Sequence, residues 1–105
     1  MNNTLFIGSN GYVAAIDVMT GQERWRTKLQ SGAFTATGAS DVSVMVRGGF
    51  VFAGSQGHLF CLDAGTGSAI WHNELKGMGY NDVSLALENV SIQYLQKVER
   101  SSSSQ

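Results

Sequence analysis

The sequence predicts an all-β protein in which a unit of short antiparallel strands is repeated. Residues 5–29 and 51–75 align without a gap at an offset of 46, and nine of the 25 aligned pairs are identical. Apolar stretches alternate with glycine-containing turns, and no segment shows the period of a helix. The chain has 13 glycines and no proline, so its turns depend on glycine and on Asn or Asp side chains. These features are typical of an all-β repeat architecture.

The residues shared by the two copies include those of the turns and one tryptophan. A second, shorter match pairs residues 41–44 with residues 82–85 at an offset of 41, because the loop before it is five residues shorter in the second copy. Retention of turns and tryptophan together makes chance an improbable source of the match. The identical pairs are Phe6/Phe52, Gly8/Gly54, Ser9/Ser55, Gly11/Gly57, Asp17/Asp63, Thr20/Thr66, Gly21/Gly67, Trp25/Trp71 and Leu29/Leu75.

Each copy divides into the same series of strands. The first strand of each copy runs into Gly-Ser-x-Gly, a signal for a two-residue hairpin turn. The second strand ends at the shared aspartate, and the third contains the tryptophan. The expected strands are 5–9, 12–17 and 23–29 in the first copy, 51–55, 58–63 and 69–75 in the second, with further strands at 42–47 and 83–88.

The segments 15–25 and 61–71 resemble the tryptophan-docking motif of quinoprotein-like β-propellers. That family includes quinoprotein dehydrogenases and an outer-membrane barrel-assembly lipoprotein. The resemblance covers nearly all of residues 5–88 and implies a β-propeller of four-stranded antiparallel blades, in which each motif tryptophan packs between neighbouring blades. It is specific for the fold and uninformative about function, because unrelated activities share this scaffold.

Physical chemistry gives each motif residue a structural role. A carboxylate that opens a tight turn can accept backbone N–H bonds, and a glycine can supply a positive φ. Tryptophan buries a large area and brings an indole N–H that needs an acceptor. Because each aspartate occurs at the same place in both copies, a turn role is favoured over that of a general base. The motif residues are Asp17, Thr20, Gly21 and Trp25 in the first copy and Asp63, Thr66, Gly67 and Trp71 in the second.

The resemblance also assigns strand positions, because propeller strands run from A at the central channel to D outside. Residues 5–29 then form a partial blade of strands B to D, and residues 42–75 a full blade. Residues 83–88 are a spare inner strand, and residues 90–98 a latch that braces a neighbour, with a short amphipathic helix as the alternative. The repeats thus occupy residues 1–98, and we expect residues 99–105 to be a disordered tail.

Two blades cannot close a ring, since propellers have about four to eight. The spare inner strand lies beyond the second blade, so it can complete only the first blade of another subunit. We therefore expect a ring closed by homo-oligomerisation with strand exchange. The expected assembly is a cyclic homotetramer with eight blades, and a homotrimer with six is the alternative.

Two classes of function remain open. The first is a non-catalytic scaffold that binds a protein or peptide through its ring face, where the loop side chains to consider are Phe34, Met78, Tyr80 and Asn81. The alternative is a small-ligand or quinone-binding propeller that serves as an oxidoreductase component. No acid–base pair or nucleophile–base pair is visible, so we predict no catalytic residue, no metal site and no cofactor.

Composition narrows the remaining classes. The net charge of −1 argues against a nucleic-acid footprint, and no apolar run is long enough for membrane insertion. Cys61 aligns with Ala15, which favours a small core residue, and His58 aligns with Tyr12 without a second ligand nearby. The first residues show neither a basic start nor a long apolar stretch, so we expect a cytoplasmic protein, or a periplasmic one if a leader has been removed.

Overall fold

The computed structural model describes residues 3–32, 34–35 and 40–88. These ranges contain antiparallel β-strands and turns but no helix, and therefore no helix suited to crossing a membrane. The strands are β1 (Thr4–Ser9), β2 (Tyr12–Asp17), β3 (Glu23–Lys28), β4 (Gln30–Ser31), β5 (Phe34–Thr35), β6 (Ser43–Arg47), β7 (Phe50–Ser55), β8 (His58–Asp63) and β9 (Ala69–Asn73).

The strands form two sheets that repeat the same design. The first sheet has the order β1-β2-β3, the second has the order β6-β7-β8-β9, and β4 and β5 form a separate hairpin. The register of the second and third strands shifts at the same place in each sheet, between Ala15 and Ile16 and between Cys61 and Leu62. The predicted all-β repeat, with one partial and one full four-stranded unit, is therefore present in the described residues.

The first turn of each sheet follows directly from its sequence. Asn10 and Gly11 have φ values of 52° and 79°, and Gln56 and Gly57 have φ values of 50° and 78°. Two successive positive φ values match the right-handed twist of the strands that the turn joins. Glycine adopts this conformation without a steric penalty, which explains the glycine retained at the second position of both turns.

The two sheets pack against each other around an apolar cluster. Side chains of both sheets meet there, and the chain comes close to the first sheet at Gly8. A Cβ placed on Gly8 would lie 2.8 Å from Val42 Cγ1, so only glycine lets the segment before β6 cross the first sheet at this point. The fully buried members of the cluster are Val13, Leu29, Val51, Ala53, Phe60 and Leu62.

The segment 83–88 differs from its prediction as a regular inner strand. Residues 83–86 belong to no strand, Leu87 forms an isolated bridge, and Glu88 lies in a turn. The start of the segment nevertheless follows the equivalent course to the start of β6. A Cβ on Gly54 would lie 2.7 Å from Val83 Cβ, and a Cβ on the aligned Gly8 would be similarly close to Val42. β6 becomes a strand because it pairs with β7, whereas no strand of the described chain extends beside 83–88.

Other differences concern the connection between the sheets and the end of the chain. The hairpin β4–β5 lies within a connection for which the sequence predicted only a loop. The latch predicted at 90–98 and the tail predicted at 99–105 lie outside the described residues.

Candidate functional site

The turn between β2 and β3 is built around Asp17. Its Oδ1 accepts hydrogen bonds from the backbone N–H groups of Met19, at 2.8 Å, and Thr20, at 3.3 Å. The Gly21 N–H donates to the Asp17 carbonyl at 2.7 Å, and Thr20 Oγ1 accepts from the Gln22 N–H at 3.2 Å. All of these contacts hold the turn in shape, which leaves the carboxylate oxygen Oδ1 occupied.

The turn between β8 and β9 repeats this network around Asp63. Its Oδ1 accepts from the N–H groups of Gly65 and Thr66, at 2.7 and 3.0 Å. Gly67 donates to the Asp63 carbonyl at 2.7 Å, and Thr66 Oγ1 accepts from the Ser68 N–H at 3.2 Å. The same short sequence thus makes the same hydrogen bonds twice, as a local structural role requires.

The two aspartates differ in one contact. Arg24 donates a hydrogen bond from Nη2 to Asp17 Oδ2 at 3.0 Å, and this bond, with those from Met19 and Thr20, lowers the pKa of the Asp17 carboxyl. A carboxylate stabilised in its ionised form on the surface is a weak proton acceptor. Its environment therefore favours a structural contact over general-base chemistry.

Trp25 joins the two sheets. Its indole Nε1 donates to the carbonyl of Ala64 at 3.0 Å, and Thr27 Oγ1 donates to the carbonyl of Gly67 at 2.7 Å. A Cβ on Gly67 would lie only 2.5 Å from the Trp25 ring. The ring of the first sheet therefore covers the Asp63 turn of the second sheet, and glycine makes room for it.

Trp71 has the same position in the second sheet but a different environment. Its ring lies 6.2 Å from that of Phe52 at 42°, as the Trp25 ring lies 6.0 Å from that of Phe6 at 44°. The Trp71 side chain is 44% exposed, and no acceptor within the described ranges receives a hydrogen bond from its Nε1. The second sheet therefore presents a tryptophan in the orientation that Trp25 uses for packing, with its outer side uncovered.

A cluster of loops forms at the end of the sheets where the Gln56–Gly57 turn lies. The Ser40 carbonyl accepts from the Gly11 N–H at 3.2 Å, and Ser40 Oγ donates to Gln56 Oε1 at 2.6 Å. Ser55 Oγ donates to the Asp41 carbonyl at 2.9 Å. The segment that enters β6 is thus tied to the first turn of both sheets.

The second connecting segment reaches the same turn. Its backbone at Gly79 and Tyr80 lies so close to Gly57 that a Cβ there would collide with the Gly79 carbonyl. The side chains of Met78 and Tyr80 are 73% and 82% exposed, and Asn81 is exposed as well. We call residues 77–81 the recognition loop, after the function proposed below, because the backbone contacts Gly57 while the side chains are exposed.

Phe34, the fourth predicted ring-face residue, lies in a different environment. It is half-buried, packs on the apolar cluster, and stacks on the His58 ring with centroids 3.7 Å apart. Its aromatic face is therefore used within the chain, whereas Met78, Tyr80 and Asn81 are exposed. The hairpin that carries Phe34 closes over the second sheet, which the sequence did not reveal.

A pair of histidines beneath Phe34 was also missed from the sequence. His58 Nδ1 lies 2.7 Å from His72 Nε2, so one ring donates and the other accepts a hydrogen bond. Burial, and then the neighbouring His72, lowers the pKa of His58. The signal lies in the strand register, because Phe60 faces His72 across β8 and β9 and His58 is two residues before Phe60 on the same face.

The remaining reactive groups form no cluster within the described ranges. Cys61 is buried, as its alignment with Ala15 predicted, and burial raises the pKa of its thiol. Across the described part of the chain, no group of three or more His, Cys, Asp or Glu side chains could hold a metal ion. The uncovered features are therefore the recognition loop and the outer faces of the two sheets.

Comparison with known proteins identifies the family. No curated protein matches the chain. A family model described as outer membrane protein assembly factor BamB, built on PQQ-like repeats, matches residues 2–103. The predicted resemblance to PQQ-like repeats is thereby confirmed. With nearly its whole length matched, and with its two all-β sheets, the chain belongs to this PQQ-like β-propeller repeat family.

Proposed function

We propose that the chain is a section of a non-catalytic β-propeller scaffold that binds a protein or peptide partner through the recognition loop. The observation that carries this proposal is the close contact of the loop backbone with Gly57 combined with exposed Met78 and Tyr80 side chains. Binding and catalytic residues are commonly placed on loops that a rigid scaffold positions.

The chemistry of the loop supports recognition of a polypeptide surface. Tyrosine offers a large, rigid contact area with a polar hydroxyl, and methionine adapts its shape to irregular apolar surfaces. Both residue types are enriched in the cores of protein interfaces. Gly77 and Gly79, with φ values of 84° and 85°, leave these side chains uncrowded.

The absence of catalytic function rests on the environments of the candidate groups. Asp17 and Asp63 accept backbone hydrogen bonds in turns, and the Cys61 thiol is buried. His58 and His72 are bonded to each other beneath Phe34. In the described residues the aspartates therefore bond to turn backbone and, for Asp17, to Arg24, and the histidines bond to each other, so none of them is paired with a nucleophile.

The proposed scaffold is a ring made from several copies of the chain. Two blades are fewer than the four to eight that close a propeller. Supporting this, β1 pairs only with β2, which leaves the inner edge of the first sheet open in the described residues. We propose a cyclic homotetramer of eight blades as the assembly, with a homotrimer of six blades as the alternative.

A random peptide library selected against the protein tests the recognition loop. Peptides that bind the natural chain should bind the Met78→Ala/Tyr80→Ala variant at least tenfold more weakly. Ile70→Ala is the matched control, since Ile70 is 47% exposed but lies on β9 outside the loop, and it should leave peptide binding unchanged. Equal binding by all three proteins would overturn the proposal.

A thermal-shift series with quinones, sugars and divalent cations tests the small-ligand alternative. A ligand that binds only the folded state raises the melting temperature. We expect no reproducible shift with any of these compounds. A concentration-dependent shift with a quinone would replace the scaffold with the small-ligand function.

A further inference from the structure

The contact between the two sheets contains a pattern that can be repeated between chains. Trp25, on β3, donates to the carbonyl of Ala64 and covers Gly67. The first sheet thus supplies the indole ring of Trp25, and the Asp63 turn of the second sheet supplies the acceptor carbonyl. Because the sheets are copies of each other, the first sheet also has an acceptor turn, and the second sheet also has a tryptophan. Neither of these is used in the contact within the chain.

The unused ring is Trp71. It aligns with Trp25, is tilted against Phe52 as Trp25 is against Phe6, and remains 44% exposed. Asn73, which aligns with Thr27, has a free amide group on the same face, because only its Oδ1 is used, as the acceptor for the Leu75 N–H. The outer face of the second sheet is therefore equipped with both donors of the contact.

The unused acceptor is the Asp17 turn. It has the same hydrogen bonds to turn backbone as the Asp63 turn, with Arg24 as one additional partner of Asp17, and its Val18 aligns with Ala64. A Cβ on Gly21 would meet no heavy atom within 4 Å, whereas the equivalent space at Gly67 is filled by the Trp25 ring. The turn thus has the shape that receives a tryptophan, with an open space in the tryptophan's position.

The strand beside this turn presents apolar, uncovered side chains on the face that also carries Arg26. Leu5 and Ile7 are 52% and 42% exposed, while the aligned Val51 and Ala53 are fully buried against the first sheet. Exposed β-strand faces of this kind are stabilised by a covering layer. The outer face of the first sheet repeats the face of the second sheet that is buried within the chain. Its expected cover is therefore the outer face of a second sheet, which repeats the face of the first sheet that buries Val51 and Ala53.

We propose that the outer face of the second sheet binds the outer face of the first sheet of another copy of this chain. Trp71 Nε1 donates to the carbonyl of Val18 of the partner subunit, and Asn73 donates to the carbonyl of Gly21 of the partner subunit. The inference rests on the proposed assembly of copies and specifies its junction. Such a contact joins two different surfaces, so each copy can bind one further copy at each side. The assembly closes into a ring when the rotation between neighbouring subunits is a whole fraction of a full turn.

The path of residues 83–88 agrees with this junction. Val83 crosses Gly54 as Val42 crosses Gly8, and the segment after Val42 becomes β6, the inner strand of the next sheet. At the proposed junction, the sheet next to the second sheet is the first sheet of the partner subunit. Residues 83–88 would there pair with the open edge of the partner's β1 and become a regular strand.

Mixing two variants, each with one damaged surface, tests the inference. Trp71→Ala damages the second-sheet surface, and Ile7→Glu damages the first-sheet surface. Light scattering of the intact chain should give a multiple of the 11.2 kDa monomer mass, and each variant alone should be a monomer. An equimolar mixture should give a heterodimer, because Trp71 of the Ile7→Glu chain meets an intact first sheet on the Trp71→Ala chain.

Matched controls separate loss of this junction from unfolding and from damage to the recognition loop. Ile70→Ala changes a similarly exposed neighbour of Trp71, 47% exposed, and should retain the full mass. Met78→Ala/Tyr80→Ala should also assemble fully, so a failure of peptide binding remains distinguishable from a failure of the junction. Circular dichroism should show that the monomeric variants keep their strands.

Three results would overturn the inference. An intact chain that stays monomeric at micromolar concentration would exclude the junction. So would a Trp71→Ala chain that assembles as well as the natural chain. A dimer of Ile7→Glu that depends on Trp71 would show a symmetrical contact between two second sheets instead.

Discussion

The first and second sheets have the same backbone arrangement, but the equivalent strands β1 and β7 differ in burial. Leu5 and Ile7 on β1 are largely exposed, while Val51 and Ala53, at the aligned positions of β7, have no exposed surface. The turns and the register shifts are the same in both sheets. The burial of a strand in this molecule therefore depends on whether another sheet packs on its face. The local sequence determines only which side chains lie on that face.

A second pair of positions differs because only one sheet is covered by a hairpin. In the first sheet, the Arg26 guanidinium and the Lys28 ammonium each lie 5.8 Å from the Tyr12 ring. In the second sheet, the positions of Tyr12 and Arg26 are held by His58 and His72, bonded to each other beneath Phe34. In the described chain, tyrosine and arginine occupy these positions on the uncovered sheet, and imidazoles occupy them where the Phe34 ring covers the sheet.

The largest difference between equivalent positions is expected at the turn glycines. Gly67→Ala should lower the free energy of unfolding by about 3 kcal/mol, since it adds a collision with Trp25 to the cost of a positive φ. Gly21→Ala should cost only the φ penalty, about 1 kcal/mol. Urea denaturation of both variants in the Ile7→Glu background measures the difference. Equal losses would mean that Trp25 does not depend on the space at Gly67.

The tryptophans give the next largest contrast. In the Ile7→Glu background, where assembly is blocked, Trp25→Ala should destabilise the chain by about 3 kcal/mol because it removes the ring that joins the sheets. Trp71→Ala should cost about 1 kcal/mol there, since its ring contacts only one side. Thermal and urea unfolding measure both losses. A larger loss for Trp71→Ala would reverse the comparison.

The aspartate turns should respond more weakly. Asp63→Ala removes an acceptor for two backbone N–H groups and should cost about 1 kcal/mol, as the loss of a helix-capping side chain does. Peptide binding at the recognition loop should be unchanged. A variant with an unchanged melting temperature and lost peptide binding would assign Asp63 to recognition and contradict its structural role.

The smallest expected effect is the pH dependence of the covered histidine pair. The folded state lowers the pKa of His58 from 6.5, so the unfolded chain binds the proton more readily. The stability from the neutral pair is therefore complete above about pH 7 and decreases as the pH falls through 6.5 towards the lower folded value. The neighbouring Glu74 carboxylate acts against this lowering of the His58 pKa.

His58→Tyr is the matched variant for this titration, because tyrosine occupies the aligned position in the first sheet. Its melting temperature should change less between pH 7.5 and 5.5 than that of the natural chain. Asp17 and Glu23, whose pKa values are lowered from 3.8 and 4.5, lose their contributions only at lower pH. A steeper pH dependence in His58→Tyr would contradict the assigned environment.

The sequence was sufficient for the elements that depend on short-range contacts. The hydrogen bonds that Asp17 and Asp63 make to the backbone of their own turns reach at most five residues along the chain, so the short motif specifies the shape of these turns. The strands between these turns are consequently within two residues of their predicted ends. The resemblance to propeller blades then predicted the order of the strands within each sheet.

The features that the sequence did not reveal depend on contacts across longer distances. The hairpin β4–β5 lies in a connection that is five residues longer than its counterpart, so the repeat offered no guide to it. The His58–His72 contact depends on strand register, and the packing of Phe34 depends on the hairpin. Residues 83–88 have strand-like sequence, but a strand also needs a neighbour.

The bond from Trp25 to Ala64 has a consequence for the folding kinetics of the chain. It joins residues 39 apart in sequence, whereas each sheet is assembled from strands that follow one another directly. Local hairpins close faster than distant contacts, because less chain entropy is lost. The sheets should therefore form first as separate units, and their docking should limit the folding rate. A Trp25→Ala chain would fold more slowly, with tertiary contacts forming after the strands.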